Sequence, residues 1–260
     1  MKITHLGTAT LLIEVAGVRL LTDPVFDPRG TKHDFGFGFG SAKEYATAKD
    51  PDALGAIDAV LLSHDQHGDN LDASGREVMA RAGKVITTRA ARRRLGKIEG
   101  SGAWVKPDIV ALTPFESTQV GGVRITGTPA RHGPPLSLPI VGEVTGFVLE
   151  WEGQARGCVY ITGDTVFYGG IEQVAAKYEV AIAIMHLGCA SWGPLRFTMN
   201  AREGESFARA FPKARLVPVH YEGWSHFKES RGDVERVFAS AGLTDRVTWL
   251  EPGVALSLDC

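Results

Sequence analysis

The chain has 260 residues, of which 44% are hydrophobic and 22% charged, with a formal net charge of −2. That suits one large α/β domain or two small ones with a proper core, and the near-neutral balance gives no reason to expect nucleic acid or a membrane surface as partner. No apolar stretch approaches the ~20 residues of a membrane span, and the opening MKITHLGTATLLIEV is broken by His5, Gly7 and Glu14, unlike a secretory leader.

The three cysteines, at 158, 189 and 260, are too few and too scattered for a disulfide framework, so a reducing cytoplasm is expected. The only tight basic run, Arg92-Arg93-Arg94, has no interleaved aromatics and reads as a solvated helix face.

In chain order, residues 2–6, 10–15 and 18–21 read as short strands separated by glycine turns at Gly7 and Gly17. Residues 27–53 carry the alternation Phe35-Gly36-Phe37-Gly38-Phe39-Gly40 without a helix or strand period. A segment of that length in a compact domain reads as a lid or a substrate-facing wall. The apolar run 57–63 reads as a buried strand, leading into Ser63-His64-Asp65-Gln66-His67-Gly68-Asp69-Asn70. Helices are expected at 72–82 and 88–94 around a strand at 84–87, followed by strands at 108–112, 116–120, 123–128, 144–151 and 157–162. The last third alternates: helix 170–178, strand 180–185, helix 200–210, strand 214–219 and helix 229–240. No linker or repeat divides the chain, so residues 1–260 are read as one domain of two packed sheets with helices outside.

Residues that bind metals recur just after these strands: Asp23, the segment from His64 to Asn70, His132, Asp164, His186 and His220. Loops leaving one end of neighbouring strands converge in space. Imidazole and carboxylate suit Zn²⁺ and comparable ions, a catalytic ion acidifies its bound water, and a carboxylate such as Asp164 can bridge two ions.

In this order and spacing the sequence resembles the metallo-β-lactamase superfamily, in the branch similar to ascorbate-6-phosphate lactonases and N-acylphosphatidylethanolamine phospholipase D. The matching stretches are Ile3-Thr4-His5-Leu6-Gly7, Ala9-Thr10-Leu11-Leu12-Ile13-Glu14, Leu21-Thr22-Asp23-Pro24 and Leu61-Leu62-Ser63-His64 through Asp69-Asn70-Leu71-Asp72. Thr128-Pro129-Ala130-Arg131-His132, Ile161-Thr162-Gly163-Asp164-Thr165 and Val217-Pro218-Val219-His220-Tyr221 complete the match.

The resemblance implies a four-layer αββα sandwich of the metallo-β-lactamase type. It implies a first metal site of His64, His67 and His132, and a second of Asp69, His220 and the bridging Asp164. Asn70 is an outer contributor, and Asp23 orients a ligand histidine from behind.

The family's first motif, His-x-His-x-Asp-His, is altered by an inserted residue. Aligned from the left, Gln66 stands at the second histidine; aligned from the right, Asp65 stands at the first and Asn70 replaces the last. A carboxamide oxygen is a weaker zinc ligand than imidazole, so the expected cofactor is one or two Zn²⁺, with Mn²⁺ as the harder alternative.

Asp69 and His186 are the candidate catalytic residues beyond simple ligation, although His186 matches no family ligand position. His5 and His226 are read as structural and His33 as a solvated loop residue. Cys189 reads as a small buried hydrophobe rather than a nucleophile. No Gly-x-Ser-x-Gly elbow exists, and the Gly/Phe stretch lacks the spacing of a dinucleotide fingerprint. The expected reaction is hydrolysis of a lactone, phosphodiester or related small molecule, with a metal-bound hydroxide attacking carbon or phosphorus. Phe35–Phe39 and Trp192 are candidates for an apolar substrate wall, and the homo-oligomeric state is left open. Thr198 stands where the phospholipase-like branch often has a histidine, which argues against transferring that activity whole. A metal-binding protein with little turnover is the second reading, and a nuclease the third.

Overall fold

The β-branched, glycine-punctuated start of the chain folds as an antiparallel meander of strands Lys2–Gly7, Thr10–Val15 and Val18–Thr22. Its second turn, Ala16-Gly17, has φ of 48° and 74°, the pair of positive values whose twist matches the flanking strands. The structure is a computed structural model and describes residues 1–34, 40–96 and 107–260.

The meander continues into a seven-stranded sheet by parallel addition of Ala59–Leu61, Lys84–Thr87 and Asp108–Ala111, with Ala255–Ser257 on the other edge. A six-stranded sheet runs Arg215–Val219, Val180–His186, Cys158–Ile161, Thr145–Trp151, Val123–Pro129 and Ser117–Val120. Its first three strands are parallel and the rest antiparallel.

Period-2 patterning decides what lies between the sheets. Ile3, Leu11, Ile13, Leu20, Leu61 and Ile86 on one inner face meet Ile125, Phe147, Leu149, Ile161, Ile184 and Val217 on the other. The opposite face of the first sheet is covered by the helices Ala73–Ala80 and Arg89–Leu95, through Val78, Met79, Ala91 and Leu95. Helices Gly169–Lys177, Ala201–Ala210 and Arg231–Ser240 cover the second, through Val174, Phe207, Val234 and Phe238. The layers are therefore helix, sheet, sheet, helix, as expected. Helix starts are fixed by capping: Asp72 accepts from Gly75 N–H, Asn200 from Glu203 N–H, and Ser230 with Asp233 forms a reciprocal box.

The run 57–63 is a strand only over Ala59–Leu61, because Ser63 N–H is diverted from the ladder to the Asp23 carboxylate. The edge strand Ala255–Ser257 is wholly exposed and so carries no alternation to read. Lys32–Asp34 and Gly40–Ala42 pair within the span read as loop, and Ser191–Trp192 pairs with Leu195–Arg196. The Phe35–Phe39 stretch read as a lid lies outside the described residues. Arg92 and Arg93 are exposed as expected, whereas Arg94 turns to Asp65 in the loop after Ala59–Leu61. Among the described residues no helix is long and apolar enough to cross a membrane.

Phe238 is 1% exposed, and its ring lies where a Cβ on Gly204 would come within 3.1 Å, so these two helices approach closely. Replacing Phe238 with Ala is expected to cost about 3–5 kcal/mol of unfolding free energy, read by urea denaturation. It should leave the far ends of the strands in place.

Candidate metal centre

Every polar residue singled out after a strand lies at the C-terminal end of that strand, on one rim of the two sheets. Asp23 follows Val18–Thr22, His64 follows Ala59–Leu61, His132 follows Val123–Pro129 and Asp164 follows Cys158–Ile161. His186 ends Val180–His186, and His220 follows Arg215–Val219. The first sheet thus brings His64, His67 and Asp69, and the second brings His132, Asp164 and His220.

Two donor groups form there. In the first, His67 Nδ1 lies 3.0 Å from His64 Nε2 and 3.0 Å from His132 Nε2. In the second, the ligand atoms of Asp69, Asp164 and His220 fall within 4.8 Å of one another. His220 Nε2 is 3.4 Å from both Asp69 Oδ2 and Asp164 Oδ1. The other Asp164 oxygen, Oδ2, reaches to 4.0 Å from His64 Nε2, so this carboxylate stands between the groups.

The loop after His64 settles which motif residues face inward. Asp65 turns out to Arg94, whose Nε donates to Oδ2 at 2.9 Å, and its carbonyl accepts from Arg76. The Gln66 carboxamide lies against Gly142, where a Cβ would sit 1.5 Å from Nε2. Neither residue joins the donor groups. Gly68 is required for close approach, since a Cβ there would sit 2.2 Å from the His33 ring. His33, expected as a solvated loop residue, is thereby packed on the site loop, with Nε2 3.3 Å from Asp27.

The ring nitrogens that face away from the donor groups are tied down. His132 Nδ1 lies 2.9 Å from the Phe197 carbonyl and His64 Nδ1 lies 2.9 Å from Ser63 Oγ. A carbonyl can only accept, so His132 Nδ1 is the donor there and Nε2 is the nitrogen turned inward. Asp23 reaches the site through the backbone: its carboxylate accepts Ser63 N–H at 2.7 Å, next to His64, rather than a histidine ring as expected. Gly163, with φ +62°, lets the chain pass close to the Thr145 carbonyl before Asp164, and His220 itself holds φ +60°. Left-handed backbone at a residue other than glycine is costly and concentrates at functional sites.

Burial and charge sort the protonation states. Burial, followed by the neighbouring histidines, pushes His64 well below the usual imidazole range and His67 down to about 4, leaving both rings neutral. Burial alone would lower His220 too, but Asp164 and Asp69 outweigh it and raise it to about 9. His220 and His226, facing Asp69 at 3.4 and 3.2 Å, overcome burial and hold it well below the carboxylate range. Asp164 is likewise lowered, burial being overcome by His220 and His186. Burial, with Asp164 adding repulsion, pushes Asp23 up to about 8.

Two histidines take places that sequence reasoning left open or missed. His186 is fully buried, with Nδ1 3.2 Å from Asp164 Oδ1 and its ring stacked on His220 at 5.3 Å. It faces Asp164 from within the sheet and not the solvent. His226, read as structural, places Nε2 3.2 Å from Asp69 Oδ2 and Nδ1 2.7 Å from Ser41 Oγ. Its only sequence signal is its position six residues past His220. Asn70 sits between the carboxylates: its amide nitrogen, oriented as a donor, reaches Asp164 Oδ2 and Asp69 Oδ1, each at 3.2 Å. Thr198 is structural, its hydroxyl accepting from Ala190 N–H at 2.8 Å. Cys189 is half-buried, its thiol raised by burial, which removes it further from the nucleophile class.

A cleft of about 560 Å³ opens beside His132, between the end of the second sheet and the segment around residues 134–144. Leu136 and Leu138 stand exposed at its lip, and Trp192 is exposed on its own hairpin.

Residues 18–221 match the family described as a beta-lactamase superfamily domain. The chain is 27% identical over 257 residues to a protein of Methanopyrus kandleri named UPF0173 metal-dependent hydrolase, covering 97% of this chain and 98% of that one. It is 25% identical to the UPF0173 protein YddR of Bacillus subtilis, covering 97% and 98%. The crystal structure of an isothiocyanate hydrolase from Delia radicum gut bacteria superposes with a TM-score of 0.85 at 22% identity, covering 100% of both chains. That likeness is one of fold. The residues matched span well over half of the sequence, and the chain belongs to the metallo-β-lactamase superfamily.

Proposed function

We propose that this chain is a metal-dependent hydrolase, one domain over residues 1–260, acting on an ester-like bond of a small molecule. His64 Nε2, His67 Nδ1 and His132 Nε2 would hold a first divalent ion; Asp69, His220 and the shared Asp164 would hold a second. The observation that carries the reading is a buried cluster of polar atoms turned on one another without well-aligned hydrogen bonds, Asp164 Oδ1 and His220 Nε2 at 3.4 Å, beside three inward-facing imidazoles. Unsatisfied buried groups are rare and ask for an explanation, and this donor set fits a first-row ion. The names of the relatives support metal-dependent hydrolysis, and the likeness of the motifs to lactonases and phospholipase D supports an ester-like bond.

A bound divalent ion acidifies water and polarises the scissile bond. The chain's own contributions are positional. Neutral His64 and His67 keep their lone pairs free for binding, since ligands must be deprotonated. Asp69, oriented by His226 and His220, is the carboxylate placed to accept and return a proton. His186 is a positioning residue that fixes Asp164 from behind. Zn²⁺ suits the three-histidine group, while the second group, with Asn70 in place of the family's histidine, is richer in oxygen and favours a harder ion such as Mn²⁺.

Protein purified without chelator should carry metal. A chelator should abolish hydrolysis of a lactone and phosphodiester panel, and added Zn²⁺ or Mn²⁺ should restore it. Metal content by mass spectrometry should fall sharply in His132→Ala while circular dichroism stays unchanged; undiminished metal in that variant would overturn the assignment. Stoichiometric metal with no turnover on any substrate would instead favour the metal-binding reading, which the Asn70 replacement supports.

Asn70→His supplies an imidazole beside Asp69 and Asp164. It should raise zinc occupancy of the second group, read as stoichiometry after dialysis against limiting zinc. Unchanged stoichiometry would remove Asn70 from the ion's surroundings.

A further inference from the structure

The cleft beside His132 holds a cation, Arg131, that makes no ion pair among the described residues. Arg131 lines it, yet among the described residues its guanidinium has no hydrogen-bond or ion-pair partner, and its Nε is buried without one. The neighbouring charges in the same wall are engaged: Arg89 reaches Glu116 at 3.6 Å, and the Glu143 carboxylate accepts Ala90 N–H at 3.1 Å.

Arg131 is also held in place. Its guanidinium lies 4.6 Å over the Tyr168 ring, and that ring is seated on Gly170, where a Cβ would come within 2.3 Å of it. Its backbone N–H donates to Thr165 Oγ1 at 3.0 Å and its carbonyl accepts Val166 N–H at 3.0 Å, both from the loop that carries Asp164. One residue on stands His132. An arginine fixed on an aromatic face presents its terminal nitrogens with little entropy left to lose.

The rest of the cleft wall sets Leu112, Pro114 and Val144 among Thr88, Thr113 and Thr145, and its lip carries the exposed Leu136 and Leu138. One unpaired fork in a cleft with apolar wall and lip residues, beside the candidate metal centre, suits a ligand with an apolar body and one planar anionic end.

We infer that the cleft is the substrate site and that Arg131 is its specificity-determining residue, selecting carboxylate-bearing apolar substrates and docking the carboxylate bidentately on its guanidinium. This rests on the hydrolase reading for the word substrate, but the binding does not depend on turnover.

The test uses metal-loaded protein and a matched pair of probes, 4-phenylbutyrate and its neutral amide 4-phenylbutyramide, titrated by calorimetry. The carboxylate should bind at least about tenfold more tightly than the amide, the scale of a charge-assisted bond. Arg131→Met should collapse that ratio towards one. Arg131→Lys, which keeps the charge but loses the fork, should give an intermediate ratio. Equal binding of the two probes by the unaltered protein would overturn the inference whether or not the variants fold, as would an undiminished ratio in a folded Arg131→Met. A 4-nitrophenyl ester pair, with and without a terminal carboxylate, separates the two readings. Absence of hydrolysis of either ester with the carboxylate preference intact would count against the hydrolase alone, and hydrolysis of both without preference against Arg131 alone.

Discussion

Two carboxylates, Asp69 and Asp164, are buried side by side at the rim of the sheets, each 3.2 Å from the same Asn70 amide group. Two like charges out of water are tolerated only where opposite charge or strong donors surround them. The surroundings answer that demand from every side. His220 lies 3.4 Å from each carboxylate and is raised by them to about 9, a positive charge that a divalent ion would supply in its place. His226 reaches Asp69 and His186 reaches Asp164. The third nearby carboxyl, Asp23, is pushed up to about 8 and so remains largely protonated at neutral pH, adding no further negative charge. The backbone is unusual at the same place: His220 holds φ +60°, and Gly163 at φ +62° passes close to the Thr145 carbonyl.

Much of this arrangement is legible in the sequence, for an identifiable reason. A strand buried on both faces reads as an unbroken apolar run, so the polar residue that ends it stands out, as at Ile161-Thr162-Gly163-Asp164 and Val217-Pro218-Val219-His220. The sheets, the helices around them and the convergence of the strand ends all follow from that contrast.

What was not legible depends on partners far along the chain. The inserted residue between His64 and His67 leaves two alignments open until Asp65 is seen with Arg94, and Gln66 with Gly142, 29 and 76 positions away by number. His226 lies in a loop without a period, and Ser41, 185 residues earlier, holds its Nδ1 while Nε2 faces Asp69. Asp23 was placed correctly at a strand end, but its target is the Ser63 amide, a backbone group that no side-chain pattern signals. The edge strand Ala255–Ser257 is exposed throughout and escapes for the opposite reason: it buries nothing.

The candidate centre also has a mechanical aspect. Three of its donors, His64, His67 and Asp69, hang from the first sheet; His132, Asp164 and His220 hang from the second, and an apolar layer packs between the two. Each donor group draws on both sheets, so its geometry is set by how Leu61, Ile86, Phe147 and Ile184 interdigitate between them. Packed interiors adjust by discrete repacking and not by smooth deformation. A ligand set that spans the interface is therefore held to fixed distances by core residues that never touch it. Whatever binds the rim returns the favour, since an occupant that prefers the native arrangement stabilises the packing of one sheet on the other.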